Sequence, residues 1–186
     1  MYGMVNKAVQ GLVCEQFGEE AWERIKARAG VDVEVFISNE GYPDELTYRL
    51  VAAASEELQL PAEAVLHAFG EYWVLDTAQR GYGELMKAGG RNLVDFLVNL
   101  PSFHSRVSLL FPNLIPPRFE YSHRGDDRIT VHYFSHRPGL APFVVGLLRG
   151  LGKMFGTPVE VTQTRHKDGG ADHDEFLVCW SATPAA

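Results

Sequence analysis

Three prolines, Pro112, Pro116 and Pro117, divide this chain of 186 residues into two parts with different sequence periodicity. Before them, apolar residues recur at the three- and four-residue spacing of amphipathic helices. After them, short runs rich in β-branched and aromatic residues alternate with polar residues, as they do in strands. Because proline cannot continue a helix, the sequence predicts a helical N-terminal half followed by a half that contains a sheet.

The N-terminal half predicts five helices separated by glycine, proline and polar residues. A cluster of glycines at Gly81, Gly83, Gly89 and Gly90 predicts a break before the last helix. Pro101 within that helix predicts a kink or a boundary. The predicted helices cover residues 2–17, 18–29, 44–58, a segment opened by Pro61, and 93–110.

The C-terminal half predicts two antiparallel strand pairs and one helix rich in valine and leucine. A turn at residues 124–127 joins the first pair, and the polar loop 167–174 joins the second. The fold class is therefore α+β, with a helical half packed on a half that carries a four-stranded antiparallel sheet. The predicted strands are 118–122, 128–135, 159–165 and 175–181, the helix is 141–155, and the tail 182–186 is expected to fray.

Composition and charge exclude several classes of protein. With 46% apolar residues, the chain can form a sizeable core without crosslinks. A net charge of −7 disfavours nucleic-acid binding, because nothing offsets repulsion by the phosphates. Apolar runs such as 93–100 are too short to span a bilayer, and no leader opens the chain. We therefore expect a cytoplasmic protein with no membrane contact, in which Cys14 and Cys179 are reduced and buried.

Four glycines, Gly146, Gly150, Gly152 and Gly156, lie within the predicted helix of the C-terminal half and not after a strand. This placement excludes a dinucleotide-binding fingerprint and favours close helix packing. No serine occupies a nucleophile elbow, and neither cysteine has an adjacent histidine or lysine to activate it. Nucleotide binding and nucleophilic catalysis therefore have no support in these motifs.

His104 lies on an apolar helix face, in register with Leu100 and Val107. A histidine in such surroundings is more often a satisfied core residue than a ligand. As a ligand, a neutral imidazole beside an apolar slot would suit the iron of a haem. The helical pattern alone leaves both interpretations open.

Tyr133, Ser135 and Arg137 alternate with Phe134 and His136, so a strand would place the three polar side chains on one face. A phenol, a hydroxyl and a guanidinium together suit a carboxylate, which an arginine can bind with two parallel hydrogen bonds. An ordinary polar sheet face explains the pattern equally well. A group that presents carboxylates beside a metal is haem, so this trio and the helical histidine support each other.

The loop between the last two predicted strands holds a second group of potential metal ligands. Imidazole and carboxylate side chains suit several divalent cations. Two histidines in a loop do not define a coordination geometry, so a solvated hairpin tip is favoured over a metal site. The candidate ligands are His166, Asp168, Asp172, His173 and Asp174.

Four segments, in the same order along the chain, resemble the H-NOX family of haem domains. Residues 133–137 match the family's Tyr-x-Ser-x-Arg signature, and residues 1–8 resemble its N-terminus. Residues 69–73 resemble the segment that closes its distal side, and residues 139–142 resemble the start of its Gly- and Leu-rich helix. The resemblance covers essentially the whole chain and is strongest to the stand-alone bacterial type.

This resemblance implies a single domain, residues 1–186, with haem b bound between two subdomains. The distal helical subdomain would cover about residues 1–60, and the proximal subdomain with the sheet would cover residues 61–182. His104 is then the axial iron ligand. Tyr133, Ser135 and Arg137 would hold the haem propionates. The other residues assigned to the site are Pro117, which distorts the macrocycle, Tyr2 at its edge, and Trp73, Phe143, Val5, Val9 and Leu147 in the pocket.

The resemblance also implies which gas binds. Oxygen-binding members use a distal tyrosine as a hydrogen-bond donor, and the matching residue here is Phe143, which has no donor. The chain should therefore bind NO and CO at ferrous haem and exclude O2. The indole of Trp73 is a donor in the same pocket, which keeps an O2-binding sensor as the alternative.

For signalling, the resemblance implies that NO weakens the bond between the iron and His104, so that the two halves shift against each other. The chain is then a sensor and not an enzyme. Its signal would pass to a separate protein, such as a histidine kinase or a cyclic-di-nucleotide enzyme.

Two functions of other classes remain open. A sensor of apolar small molecules without haem would use His104 as a core residue, and an absorption spectrum tests this. An enzyme that uses haem for redox chemistry with oxygen or peroxide is disfavoured, because no distal acid–base pair stands near Phe143 or Trp73. His67 and Glu71 share a helix face with Trp73 only loosely, and a turnover assay with peroxide tests this function.

Overall fold

The computed structural model of the chain describes residues 1–110 and 115–181, and it confirms the predicted helical half and sheet half. Pro112 and the tail 182–186 lie outside the described residues. The helices are α1 (Gly3–Phe17), α2 (Glu19–Ala29), α3 (Asp44–Leu58), α4 (Ala62–Tyr72), a π-helical turn (Trp73–Thr77), α5 (Ala78–Gly89), α6 (Leu93–Leu110) and α7 (Ala141–Met154). The strands are β1 (Arg118–Ser122), β2 (Arg128–Phe134), β3 (Val159–Arg165) and β4 (Asp174–Trp180), with a short 3-10 turn (Lys167–Gly169) before β4.

The four strands form one antiparallel sheet in the order β1–β2–β4–β3, which confirms the predicted four-stranded antiparallel arrangement. Along β2, the alternate residues Ile129, Val131 and Tyr133 are buried in one core. On the opposite face, His132 and Phe134 are half-buried, although Thr130 is buried. The sheet therefore has one face toward the helices and one face toward solvent.

Two apolar cores lie side by side, and Trp73 packs against both of them. The loop after α2 adds Phe36 to the first core. The predicted subdomain boundary near residue 60 stays a prediction, although Val65 and Phe69 place α4 in the first core. The first core centres on Trp22, Ile25, Phe36 and Leu50, and the second on Phe96, Leu97, Ile129, Leu148 and Phe176.

Glycines allow α4 and α7 to meet backbone to backbone. A Cβ built on Gly70 would lie 2.2 Å from the Phe143 carbonyl oxygen, and one on Gly146 would lie 2.2 Å from the His67 carbonyl oxygen. Neither position has room for a methyl group, so only glycine permits this approach. The predicted role in close helix packing is confirmed for Gly146 and for Gly150, which approaches Glu71. It is wrong for Gly152, which packs against Val159 of β3, and for Gly156, which lies beyond the end of α7.

Three local features differ from the predicted elements. The predicted break holds a helix, α5, that was not predicted. This helix is kinked at Tyr82 (φ −143°, ψ 26°) between Gly81 and Gly83, and it ends at Gly89, inside the predicted break. Pro101 lies inside α6 and is not a boundary. β2 ends at Phe134, one residue earlier than predicted, because a turn that follows the strand holds Ser135.

Two predictions concern properties of the whole chain. Cys14 and Cys179 are free thiols as expected, but both are half-buried where full burial was expected. Burial and the nearby Glu19 and Glu23 raise the pKa of the Cys14 thiol, so it is not activated. Among the described residues, no helix combines the length and the hydrophobicity that crossing a membrane requires.

Candidate functional site

A cavity of about 290 Å³ lies between the two cores. Its walls combine residues of the first core, such as Val51 and Phe69, with residues of the second, such as Phe96 and Leu148. Most of its surface is apolar, and its polar groups come from a few side chains. Such a cleft, with few polar groups in defined places, is typical of a small-molecule or cofactor site.

His104 lines this cavity from α6. Its Nδ1 lies 3.1 Å from the Leu100 carbonyl oxygen, one helical turn earlier. A carbonyl only accepts, so Nδ1 carries the proton and Nε2 carries the lone pair of the neutral ring. Burial lowers the pKa of His104, although the hydrogen bond to Leu100 opposes this shift. The imidazole is therefore neutral and has the electronic form of a metal ligand.

Aromatic rings connect His104 to the sheet. The His104 ring centroid lies 4.8 Å from that of Phe119 on β1, and the Phe119 centroid lies 5.2 Å from that of Tyr133 on β2. The Phe103 ring packs edge-on against the other side of the imidazole, with centroids 5.6 Å apart. These contacts hold the imidazole in one orientation and couple α6 to the sheet.

The predicted trio comes together, but not by the predicted means. Only Tyr133 belongs to β2, whereas Ser135 and Arg137 follow the strand. The Arg137 backbone N–H donates to Ser135 Oγ over 3.1 Å, and this local turn ends the strand. Burial raises the pKa of Tyr133, while hydrogen bonding to Ser135 and the charge of Arg137 oppose the rise. The phenol is therefore neutral.

Arg137 lines the cavity and joins the two halves of the molecule. Its Nε lies 2.7 Å from Asp44 Oδ2 at the start of α3, its Nη2 lies 3.3 Å from Asp44 Oδ1, and its Nη1 donates to the Ile115 carbonyl oxygen. Burial opposes ionisation of Asp44, but Arg137 and the N-terminal amine outweigh it and lower the pKa of this carboxyl. A guanidinium has five N–H donors, so Arg137 can hold Asp44 and a further carboxylate together.

The wall formed by α4 and α7 carries the predicted distal residues. Phe143, Trp73 and Leu147 all line the cavity. The Phe69 ring lies between two of them, with its centroid 4.8 Å from that of Phe143 and 6.3 Å from that of Trp73. Trp73 opens the π-helical turn, a local widening of the helix that often marks a functional site. Neither the phenyl ring of Phe143 nor the side chain of Leu147 can donate a hydrogen bond.

The remaining predicted residues divide into two groups. Tyr2, Val5 and Pro117 line the cavity, and so does the adjacent Pro116. Val9 instead is buried in the first core and lines a smaller neighbouring cavity of about 40 Å³. One turn of α1 separates Val5 from Val9, and this turn carries the later residue away from the larger cavity. The structure therefore does not bring Val9 to this site, and Ser135 reaches it only through Tyr133 and Arg137.

Several cavity residues were not predicted from the sequence. Tyr82 lines the cavity from the kink in α5, and its hydroxyl lies 3.6 Å from Met4 Sδ. Tyr48 lines it from α3 and donates to the Pro138 carbonyl oxygen over 2.9 Å. The glycines on both sides of Tyr82 predicted a break, so no helix was assigned there. The sequence therefore provided no reason to place Tyr82 in the cavity. Aromatic residues on the interior face of a helix are ordinary core residues in a periodicity pattern, so these two were not distinguished.

The sequence of this chain is similar to one family model and to several known proteins. The family model described as Haem-NO-binding matches residues 2–163. Soluble guanylate cyclase gcy-32 of Caenorhabditis elegans is 30% identical over 156 residues, which cover 82% of this chain and 23% of that protein. Soluble guanylate cyclase 89Db of Drosophila melanogaster is 25% identical over 155 residues, which cover 83% of this chain. The chain thus spans 23% of the length of both cyclases.

Solved structures share the fold at low sequence identity. The H-NOX protein from S. oneidensis in the Fe(II)NO ligation state superposes with a TM-score of 0.87 at 20% identity, covering 97% of this chain and 99% of that one. The Fe(II) unliganded H-NOX protein from K. algicida gives a TM-score of 0.86 at 19% identity, with 100% of both chains covered.

The family match extends over both cores and includes the helix that carries His104 and the Tyr-x-Ser-x-Arg signature. The cavity chemistry agrees with it, because an apolar slot with a neutral imidazole on one wall and a guanidinium at one edge fits a haem with its two carboxylates. The chain therefore belongs to the Haem-NO-binding, or H-NOX, family of haem-binding gas-sensor domains.

Proposed function

We propose that this chain binds haem b with His104 as the axial ligand and senses NO, and also CO, in preference to O2. One observation carries the proposal. The same cavity has a neutral imidazole, His104 on α6, and a wall where Phe143 and Leu147 offer no hydrogen-bond donor. Ferrous haem supplies a coordination position at which a diatomic gas binds.

Each residue of the site has a separate task in this proposal. His104 Nε2 holds the iron, and the Leu100 carbonyl fixes the ring tautomer through Nδ1. Arg137 and the Tyr133 hydroxyl bind the propionates, and Ser135 positions both of them. Pro117 and Tyr2 limit the space at the proximal wall and the edge. Asp44 keeps Arg137 in place before the carboxylates arrive.

Gas selectivity follows from the distal wall. Bound oxygen is polarised and is stabilised by a donor, whereas NO binds ferrous iron strongly without one. Phe69, Phe143 and Leu147 exclude water and offer no donor. The indole of Trp73 packs edge-on against Phe69. We assign it a packing role in this wall and not the role of an oxygen-stabilising donor.

The chain's own residues define how a signal leaves the site. His104 is part of α6, whose residues Leu97 and Leu100 are buried in the second core. A movement of the imidazole therefore acts on α6 and, through Phe119, on β1. An element with two discrete packings is what a ligand can bias. We propose that a cytoplasmic signalling enzyme, a histidine kinase or a cyclic-di-nucleotide enzyme, reads this change.

A catalytic role has less support than a sensory one. His67 and Glu71 do not line the cavity, among the residues that the structure describes, and Glu71 forms an ion pair with Lys153. No acid–base pair therefore faces the distal wall within residues 1–110 and 115–181. A turnover assay with peroxide should give no rate above that of free haem.

Absorption spectroscopy of the haem-loaded, reduced protein tests the proposal. Under anaerobic conditions, NO and CO should each give a stable complex with a shifted Soret band. In air, the ferrous protein should oxidise without forming an oxygenated spectrum. A stable oxygenated complex would refute the gas preference, and failure to retain haem would refute the function as a whole.

For the signal, the measurement is autophosphorylation or turnover of the candidate partner with and without NO. His104→Gly should remove the NO-dependent difference, so that the activity of the partner is the same with and without NO. An NO response that survives this substitution would show that the signal does not pass through His104.

A further inference from the structure

A second cluster of potential ligands lies on the solvent face of the sheet, opposite the face that supports the cavity. It consists of His132 on β2, Glu175 on β4 and His173, which directly precedes β4. His132 Nδ1 lies 3.0 Å from His173 Nε2, His173 Nε2 lies 3.2 Å from Glu175 Oε1, and His132 Nδ1 lies 3.5 Å from the same oxygen. Three atoms with lone pairs therefore converge on one point.

The spacing of these atoms matches that of a small coordinated cation. A tetrahedral zinc ion with bonds of about 2.0–2.1 Å holds its ligand atoms about 3.3–3.4 Å apart. The observed separations of 3.0, 3.2 and 3.5 Å differ from that spacing by about 0.1–0.4 Å. The three ligand atoms are therefore already close to the mutual separations that a bound zinc ion requires.

Each imidazole is also supported on its other nitrogen. His173 Nδ1 lies 2.8 Å from Asp172 Oδ1, and His132 Nε2 lies 2.7 Å from Ser122 Oγ on β1. A carboxylate that accepts from Nδ1–H leaves the lone pair of His173 on Nε2, the nitrogen that faces the cluster. A carboxylate behind a histidine in this manner is the usual outer-shell arrangement of zinc sites.

The close contact among the three ligand atoms has two explanations, a shared proton or a bound metal ion. A single proton can join only two of them, for example the two imidazole nitrogens, and leaves the Glu175 oxygen to other partners. A divalent ion engages all three atoms at once. We propose that His132, His173 and Glu175 form a binding site for a divalent transition metal, with zinc as the defining ion, on the outer face of the sheet.

The surroundings define the character of the site. His173 is nearly buried, and its ring stacks on Phe134 with centroids 4.3 Å apart, so its position is fixed. His132 and Glu175 are partly exposed, which leaves room for a water ligand. The Arg165 guanidinium lies 3.1 Å from Glu175 Oε1 and 3.0 Å from Asp172 Oδ1, so it competes with the ion for the carboxylate.

This site differs from the one considered in the sequence. The loop supplies only His173 as a ligand and Asp172 as its support. Asp174 instead accepts hydrogen bonds from Gln163 Nε2 and the Lys167 backbone N–H, both over 2.8 Å. His166 lies exposed on the loop, away from the cluster. The remaining two ligands come from paired strands and not from the loop.

Zinc titration of the intact, haem-loaded protein tests the proposal. The protein is first treated with a chelator, and heat is then measured as ZnCl₂ is added. One zinc ion per chain should bind. Loss of an outer-shell partner weakens metal binding by about 10–100-fold. Substitution of a ligand itself, as in His173→Ala or Glu175→Gln, should weaken zinc binding by at least this factor. His166→Ala, a histidine in the same loop, is the matched control and should leave the affinity unchanged.

Two results would overturn the proposal: no zinc binding by the parent protein, which would assign a proton to the cluster, or equal affinity in the parent, His173→Ala and Glu175→Gln. Because His173 packs on Phe134, its alanine variant can lose stability. Glutamine has the same shape as glutamate but no charge, so Glu175→Gln should fold like the parent protein. This variant therefore keeps the test decisive. Haem retention and gas binding are read separately, so failure here leaves the proposed gas sensing untouched.

Discussion

The two histidine sites of this chain use the same side chain in opposite surroundings. His104 stands among aromatic rings in an apolar cavity, and its Nδ1 donates to the backbone carbonyl of Leu100. His132 and His173 stand on the solvent face of the sheet beside Glu175 and Asp172. The comparison shows that an imidazole acquires its role from its neighbours: an apolar slot suits iron in a macrocycle, and carboxylates suit an aqueous cation.

The largest effect is expected from placing a donor in the apolar site. Phe143→Tyr should stabilise bound oxygen by about 10- to 100-fold, since a hydrogen bond to a polarised group contributes roughly 1.5–3 kcal/mol. The ferrous variant should show an oxygenated absorption spectrum in air, which the parent protein should not. Phe143→Leu is the control, since it alters the wall without adding a donor and should still exclude oxygen. Equal behaviour of the two variants would show that the distal wall does not set the gas preference.

The polar site should respond to changes that leave the apolar one unaffected. Asp172→Asn removes the carboxylate behind His173 and should weaken zinc binding by about 10-fold. The ferrous haem spectrum should remain identical to that of the parent. A variant that alters the haem spectrum would instead connect the two sites and break the distinction drawn between them.

Acid should destabilise the haem-free chain chiefly through His104. Burial lowers the pKa of His104 and also those of His132 and His67. Nearby carboxylates oppose the shift at His132 and His67, and the hydrogen bond to Leu100 opposes it at His104. The unfolded chain therefore takes up a proton near pH 6.5 that folded His104 resists. The free energy of unfolding should fall below this pH, by at most about 1.4 kcal/mol per pH unit from this residue.

Denaturant unfolding between pH 7.5 and pH 5 measures that slope. His104→Leu should flatten the profile because it removes the proton uptake of the unfolded state at this position. His132→Gln should flatten it less. A profile that His104→Leu leaves unchanged would mean that the buried imidazole does not titrate differently in the two states.

The smallest effect is expected from Trp73→Phe. Phenylalanine preserves an aromatic contact with Phe69 and removes the indole donor. NO affinity and exclusion of oxygen should both change by less than about threefold, since the indole is assigned a packing role. A gain or loss of an oxygenated spectrum in this variant would identify Trp73 as a determinant of gas selectivity.

The two sites also differ in how far the sequence predicted them. His104 lies in a helical pattern, where spacing of three and four residues places it on an apolar face, and the Tyr-x-Ser-x-Arg run added the carboxylate-binding edge. The strands and all long helices except α5 followed from the same periodicities, because burial of one face is a local property of each segment. Even so, Ser135 and Arg137 belong to a turn and not to the strand, and hydrogen bonding within the turn decides this.

The second cluster depends on contacts that no local spacing encodes. His132 and His173 are 41 positions apart and meet because β2 and β4 pair in a register that sets His132 opposite Glu175. Val9 shows the same limit on a helix, since its apolar spacing does not tell whether it lines the large cavity or packs in the first core, where it lies. Tyr82 reaches the cavity at a kink in α5, where its own backbone angles are not helical. The neighbouring glycines do not by themselves predict this kink. Long-range register and local backbone geometry are thus the parts that the sequence did not determine.

The central claim is that His104 holds the haem iron, and a rescue experiment tests it directly. The ferrous, haem-loaded His104→Gly variant should lose the absorption band of histidine-ligated haem, and free imidazole should restore the band by occupying the space left by the side chain. His132→Gln, at the other histidine site, should keep the parental spectrum without imidazole. A His104→Gly spectrum that equals the parental one in the absence of imidazole would contradict the assignment.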